Sequence, residues 1–241
     1  MSQIKLTLIF IILLDFTYFV KNMDMVIELG LNNSVFNQFL SELRDSDVQK
    51  DSQRFRRNLE RVGEIFAYEI SKVLEYQEKD IVTPLGISKM NVLKEKPLMA
   101  TILRAGMPMH QGLLNYFDNA DNAFVSAYRK YKKNEDFIIK MDYISTPSVA
   151  DRNLIITDPM LATGGSMNAT IKALLQNGVP KSLHIVCLLA CEEGISLIKR
   201  NFSLYKPTIW IGAIDAELTA KGYIVPGLGD AGDLAYGTKL D

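Results

Sequence analysis

The stretch Leu154-Ile-Ile-Thr-Asp158-Pro-Met-Leu-Ala-Thr163-Gly-Gly-Ser166 carries the architecture of this chain. A short apolar run without alternation, Asn153–Thr157, ends in a carboxylate, and a turn rich in hydroxyls and glycine then opens the helical pattern Met167 to Gln176. That order is expected of a buried parallel strand with its informative loop at the carboxyl end. Thr163, Gly164, Gly165 and Ser166 present successive main-chain amides and two hydroxyls at a helix N-terminus, which suits a phosphate monoester. The glycines let the backbone approach the anion. Asp158 repels phosphate but accepts hydrogen bonds from vicinal hydroxyls, so carboxylate and cradle together suit a ribose 5-phosphate. A plain capping turn accounts for Thr163 to Ser166 and leaves Asp158 and Pro159 unexplained. The loop has neither a Walker-type lysine nor G-x-G-x-x-G spacing.

Working outward, further apolar runs at Leu98–Leu103, Asn122–Tyr128, Leu183–Ala190 and Thr208–Ile214 alternate with helical stretches at 107–117, 166–177 and 192–201. This rhythm predicts βαβ units: an α/β fold with a mostly parallel sheet flanked by helices. Phe137–Ile144, after the charged turn Lys130–Asp136, reads as an inserted β-hairpin. Upstream lies an N-terminal helical arm. Asn32-Asn33-Ser34 caps a short helix through Leu43, and a longer one is expected over Val48–Glu75. There Phe55, Leu59, Val62, Phe66, Ile70 and Val73 form one apolar stripe. Residues 80–94 around Pro84-Leu85-Gly86 read as a hairpin arm. The chain shows no internal repeat, and one domain over residues 23–241 is expected.

Composition narrows the chemistry. With 27 Lys plus Arg against 28 Asp plus Glu, no global field draws the chain to nucleic acid or to an anionic membrane, so a bound anion must meet a local site. The two cysteines, Cys187 and Cys191, fall in and beside an apolar run and read as buried free thiols, too few for a disulfide framework or a four-Cys zinc site. Two histidines, His110 and His184, set zinc chemistry and a Ser/His/Asp triad far behind. Residues 1–22 are an apolar extension with two readings. One is a signal-like segment, which is short for a membrane span and lacks a small-x-small cleavage site. The other, favoured reading is an upstream extension with translation starting at Met23 or Met25. A cytoplasmic location without stable membrane association is expected.

A second loop, Gly222-Tyr-Ile-Val-Pro-Gly-Leu-Gly-Asp-Ala-Gly-Asp233, repeats Gly-x-Gly-Asp-x-Gly-Asp beside Pro226. Such a sequence forces an irregular backbone in which main-chain groups, not side chains, point at a ligand. A pyrimidine edge, with its acceptors and donor, can match them. A base presenting a donor where a carbonyl is wanted loses a buried hydrogen bond, at a cost of roughly 1 to 3 kcal/mol.

Residues 158–166 resemble the phosphoribosyl-diphosphate (PRPP) loop of type I phosphoribosyltransferases, and the wording D-P-M-L-A-T-G-G-S resembles the uracil phosphoribosyltransferase family. Residues 222–233 resemble that family's uracil loop. The likeness extends to Ile102-Leu-Arg104-Ala-Gly106, Ala127-Tyr-Arg129 and Arg54-Phe-Arg-Arg-Asn-Leu-Glu-Arg-Val-Gly63, covering about residues 25–241. It implies a pentosyltransferase of pyrimidine salvage that joins uracil to the phosphoribosyl group of PRPP. By resemblance, Asp158, Pro159, Met160, Leu161, Ala162, Thr163, Gly164, Gly165 and Ser166 hold the phosphoribosyl group, and Arg104 and Arg129 hold the diphosphate. The main chain at Ile224, Gly229 and Ala231 holds uracil, while Asp230 faces the ribose-diphosphate. Asp158, Arg104 and Asp230 are the expected catalytic residues. Mg²⁺ is expected to arrive with PRPP, with Asp230 nearby and no direct protein ligand set. GTP is a candidate effector, and a homodimer or higher homo-oligomer is expected, with the long helix or the 80–94 arm at the contact. Arg54, Arg56, Arg57 and Arg61 are expected to be solvated or in interface pairs, outside the site.

Two other functions stay in view. A non-catalytic PRPP sensor that binds RNA or DNA predicts a decayed base loop and a large basic face. A phosphoribosyltransferase for another base, such as a purine, predicts two adjacent acidic residues where Asp158 is followed by Pro159. The chain departs from the family pattern at Thr157, where an apolar residue is usual, and in its tail, Asp233 to Asp241.

Overall fold

The apolar runs become strands of one sheet, buried on both faces at its centre. A computed structural model describes residues 25–131 and 137–239. The expected extension at 1–22 and the turn residues 132–136 lie outside the described residues. The main sheet contains β1 (Met25–Glu28), β4 (Leu98–Leu103), β5 (Asp121–Tyr131), β6 (Phe137–Ser145), β7 (Asn153–Thr157), β8 (Met160–Leu161), β9 (Ser182–Cys191) and β10 (Thr208–Asp215). Its order is β1-β10-β9-β7-β4-β5-β6, with β8 beside β9. Every pairing is parallel except β5 with the edge strand β6. β2 (Tyr76–Thr83) and β3 (Gly86–Leu93) form a separate antiparallel pair, the expected arm, which begins earlier than residue 80.

Alternate residues of each central strand feed two cores. Ile155 joins Met99, Val186, Leu188 and Trp210 on the face covered by α1 (Val35–Arg44), α2 (Ser52–Ser71) and α3 (Met107–Leu114). Leu154 and Ile156 join Ala100, Val125, Ile185 and Ile209 on the face covered by α4 (Gly165–Leu174) and α5 (Glu192–Phe202). Burial on both faces removes the hydrophobic alternation of a half-exposed strand. On the first face Phe36 and Phe66 meet edge to face at 5.4 Å, and both are essentially inaccessible to water.

Local chemistry sets the helix limits. Ser34 accepts from the Phe36 amide and Asn37 returns a bond to the Ser34 amide, so α1 begins as expected. The long helix starts at Ser52 and not Val48, because Asp51 accepts from the amides of Gln53 and Arg54 and terminates a separate 3₁₀ turn at Val48–Lys50. It ends at Ser71, so Val73 leaves the stripe and is 48% exposed. Likewise α3 stops at Leu114, and α4 gives way to a 3₁₀ turn at Leu175–Asn177.

The strand order positions the site. From β4 the chain crosses through α3 to β5 on one side, and from β7 it crosses through α4 to β9 on the other. The order therefore reverses between β4 and β7, and a crevice opens at their carboxyl ends, where open α/β sheets bind ligands.

Candidate active site

Thr101 and Thr157 are register partners on β4 and β7; β7 ends at this level, while β4 runs on to Leu103. The unusual Thr157 is fully buried, and its Oγ1 donates to Ala100 O on β4 at 3.2 Å, which satisfies the hydroxyl inside the sheet. Beyond these strand ends lie two turns. Arg104, Ala105 and Gly106 follow β4, and Asp158 follows β7. A Cβ added to Gly106 would stand 2.9 Å from Thr157 O, so the first turn lies directly against the end of β7.

Asp158 is partly buried, and its amide donates to Val186 O at 3.1 Å, which holds the start of the loop to β9. Met160 and Leu161 form β8 against Leu189 and Ala190. The loop then turns through Gly164, whose φ of +78° favours glycine, and α4 begins without a side-chain cap. Leu161, Ala162 and Gly164 are buried, while Thr163, Gly165 and Ser166 are partly open. Residues Met160 to Met167 line a small concavity open to solvent. Gly194, in the first turn of α5, packs behind the loop: a Cβ there would lie 2.5 Å from Ala162 O.

The second loop comes to the same edge. Ile224, 4% exposed, sits in β12 (Ile224–Val225), which pairs with β11 (Glu217–Leu218). Gly229 has φ +92°, and a Cβ on it would meet nothing within 4 Å, so its main chain faces open space. Asp230 caps α6 (Ala231–Tyr236) through its bond from the Asp233 amide, 3.0 Å, and Ala231 is buried in the first turn. Arg104 Nη2 reaches Asp233 Oδ1 at 3.1 Å and Gly237 O at 3.3 Å. The Arg104 turn and the glycine loop are thereby joined. The Arg129 backbone lies on β5 beyond its pairing with β4, but the Arg129 side chain lies outside the described residues.

Lys239 was not singled out in the sequence, and Arg56 was expected to lie outside the site. Lys239 Nζ lies 2.9 Å from Asp230 Oδ2 and 3.8 Å from Asp233 Oδ1. Burial of Asp230 works against its charge, but bonds from Lys239 and from the Asp233 amide outweigh it and hold the carboxyl below the ordinary carboxylate range. Arg56, on α2, donates to Ala235 O at 2.6 Å and so ties the long helix to α6. Arg54 pairs with Glu42 and Arg57 with Glu60, ion pairs within the chain where solvated or interface arginines were expected. Asp233 was legible as the last member of the glycine-aspartate repeat, and Lys239 as a cation six residues further on. Nothing local announced Arg56.

The remaining polar candidates are structural. His110 and His184 are buried, the first bonded to Asn122 and the second linked to Ser182 and Trp210. Cys187 and Cys191 are free and buried, and burial pushes both thiols up. Among the described residues no group of three or more His, Cys, Asp or Glu is placed to hold a metal ion, and no helix is long and apolar enough to cross a membrane.

Comparison with known proteins agrees with this geometry. A solved structure, that of the AQ2163 protein from Aquifex aeolicus, superposes with a TM-score of 0.79 at 29% identity, covering 90% of this chain and all of that one. A protein of Porphyromonas gingivalis named uracil phosphoribosyltransferase is 54% identical over 215 residues, 89% of this chain and 99% of its own length. Proteins of the same name from Thermococcus gammatolerans and Bacillus pumilus are 40% and 39% identical, over 84% and 80% of this chain and 89% and 90% of theirs. The model of the family described as uracil phosphoribosyltransferase matches residues 31–238, a span that contains β4, β7, both loops and Arg104. With the match running through every element that builds the crevice, the chain belongs to the uracil phosphoribosyltransferase family.

Proposed function

We propose that this chain transfers the 5-phosphoribosyl group of PRPP to N1 of uracil, giving UMP and diphosphate, a pentosyl transfer of pyrimidine salvage. The observation that carries the reading is the meeting, at one sheet edge, of an uncapped helix N-terminus behind Asp158, a strand-end arginine, and a glycine loop that offers main chain to open space. Amides and hydroxyls of Thr163 to Ser166 hold the 5-phosphate, and Asp158 accepts from the ribose hydroxyls. The bond from C1 to the diphosphate oxygen loosens as the bond from N1 to C1 forms, and the N1 proton is lost. Negative charge grows on the leaving diphosphate, where Arg104 and Arg129 stabilise it. Neither histidine is placed to take the proton, since both are buried in the body of the fold.

Asp230 and Asp233 share one cation, the Lys239 ammonium, and hard oxygen donors of this kind suit Mg²⁺. When bound with PRPP, the ion draws off charge from the diphosphate. PRPP oxygens would carry the ion, with Asp230 the nearby carboxylate facing it.

The working unit in this reading is one domain over residues 23–241, active without residues 1–22. The exposed apolar residues of the arm, Val82, Leu85 and Ile87, support a homodimer, because an isolated two-stranded hairpin is marginal unless another surface covers it. Free thiols suit a reducing, cytoplasmic setting. The test offers uracil, cytosine, orotate, hypoxanthine and adenine separately to the purified protein with PRPP and Mg²⁺, with and without GTP. Turnover of uracil alone is expected. Turnover of another base in its place overturns the reading, and silence with every base favours a PRPP sensor.

A further inference from the structure

A bidentate ion pair between segments 171 residues apart holds the middle of the glycine loop. Arg44, the last residue of α1, places Nη1 and Nη2 each 2.8 Å from the two oxygens of Asp215, which ends β10 and is 7% exposed. Both partners then turn to one backbone unit. Asp215 Oδ2 accepts from the Gly227 amide at 2.9 Å, and Arg44 Nη1 donates to Gly227 O at 3.1 Å. The neighbouring carbonyl is also held: the Gln49 amide, in the orientation that satisfies both its atoms, donates to Leu228 O at 2.9 Å and to Leu43 O at 3.1 Å. Gly227 stands between Ile224 and Gly229, and a base read by main chain is read only as well as that chain is held.

We propose that Arg44 and Asp215 are positioning residues for the base, clamping Gly227 and so fixing the spacing between the main chain at Ile224 and that at Gly229 and Ala231. The inference rests on the reading that this loop takes uracil. It gives the N-terminal helical arm a part in base selection, because Arg44 and Gln49 both come from that arm. An ion pair that only stapled α1 to the sheet would lower stability when broken and leave substrate preference alone.

The test compares the full chain with Arg44→Met, which keeps the aliphatic stem, Arg44→Lys, which can keep one contact, and Asp215→Asn. Arg44→Met is expected to raise KM for uracil about tenfold while KM for PRPP moves less than about twofold. Arg44→Lys recovers part of that loss, and deuterium exchange of the amides in 224–231 quickens about tenfold in Arg44→Met and Asp215→Asn while that of β9 does not change. The proposal is overturned if both KM values rise together, if kcat falls with KM for uracil unchanged, or if loop exchange stays at the parent rate. Failure of the parent itself to use uracil refutes the base assignment separately, and the exchange measurement still decides whether the clamp exists.

Discussion

Arg104 and Asp233, 129 residues apart in sequence, meet at 3.1 Å and close the end of β4 onto the helix that follows the glycine loop. With Lys239 on Asp230, the cations and carboxylates of this edge neutralise one another without substrate. Under the proposed function, diphosphate entering here would exchange these internal partners for its own.

Removing that arginine separates charge stabilisation from base binding. Arg104→Ala is expected to lower kcat/KM for PRPP about a hundredfold to a thousandfold, as loss of one well-placed donor to developing charge does. KM for uracil stays within about threefold. Steady-state kinetics with each substrate varied in turn checks it; a kcat/KM for PRPP near the parent's, or a KM for uracil raised more than about tenfold, contradicts the assignment.

Asp230 has two uses that one substitution can separate. Asn caps helices about as well as Asp, so Asp230→Asn should unfold within roughly 0.5 kcal/mol of the parent yet form little UMP. Asp230→Ala loses the cap as well, costing about 1 kcal/mol, and keeps the fold with turnover largely abolished. Urea unfolding and product assays are read side by side; UMP formation near the parent rate in either variant refutes the role of the carboxylate.

Close packing behind the Met160–Ser166 loop makes a remote methyl group felt. A Cβ at Gly194 would lie 2.5 Å from Ala162 O and 2.8 Å from Leu161 O, backbone atoms that must shift to admit it. Gly194→Ala should therefore cost about 1 to 3 kcal/mol. It should also raise KM for PRPP more than KM for uracil. Thermal unfolding and kinetics together test this; a variant with the parent's Tm and KM for PRPP argues against the coupling.

Acid sensitivity should appear well above the carboxylate range. Burial lowers His110 and His184 from 6.5 to about 4, against the bond that Asn122 Oδ1 accepts from the His110 ring, which works the other way. The unfolded chain takes up these protons near pH 6.5 while the folded chain resists them to about pH 4. Stability from the two rings is thus complete above 6.5 and lost as pH falls toward 4. At pH 5 the loss is about 2 kcal/mol per histidine. Carboxylates such as Glu42, held at about 2 chiefly by a bond from Arg54, add theirs only below about pH 4.5. Denaturant midpoints between pH 7.5 and 5 measure the slope, and His110→Gln should flatten it by about half; a slope unchanged by that variant assigns it elsewhere.

What was legible depended on how locally each feature is determined. Leu98–Leu103 and Asn153–Thr157 carry their own signal, since strands buried on both faces are apolar throughout, and their limits match the structure. The Asp158–Ser166 loop was legible because strand, carboxylate and cradle are contiguous. β1 was missed: four residues become a strand only because Met25 to Glu28 find Thr208 to Ile211 alongside. The start of α2 was misplaced because the stripe favoured Val48 while the Asp51 cap decided otherwise. Arg44 and Asp215 lie in unremarkable sequence, although Asp215 ends an apolar strand just as the chain enters the loop after β10, where the rule that singled out Asp158 also applies.

A structure of the full chain with UMP and diphosphate bound decides where the reaction takes place. The phosphate of UMP is expected within hydrogen-bond distance of the main-chain amides of Gly164 to Ser166. The ribose hydroxyls are expected on Asp158 and the uracil edge on the main chain of Ile224, Gly229 and Ala231. Phosphate bound away from the Thr163–Ser166 turn, or a pyrimidine held by side chains elsewhere on the molecule, would overturn this placement.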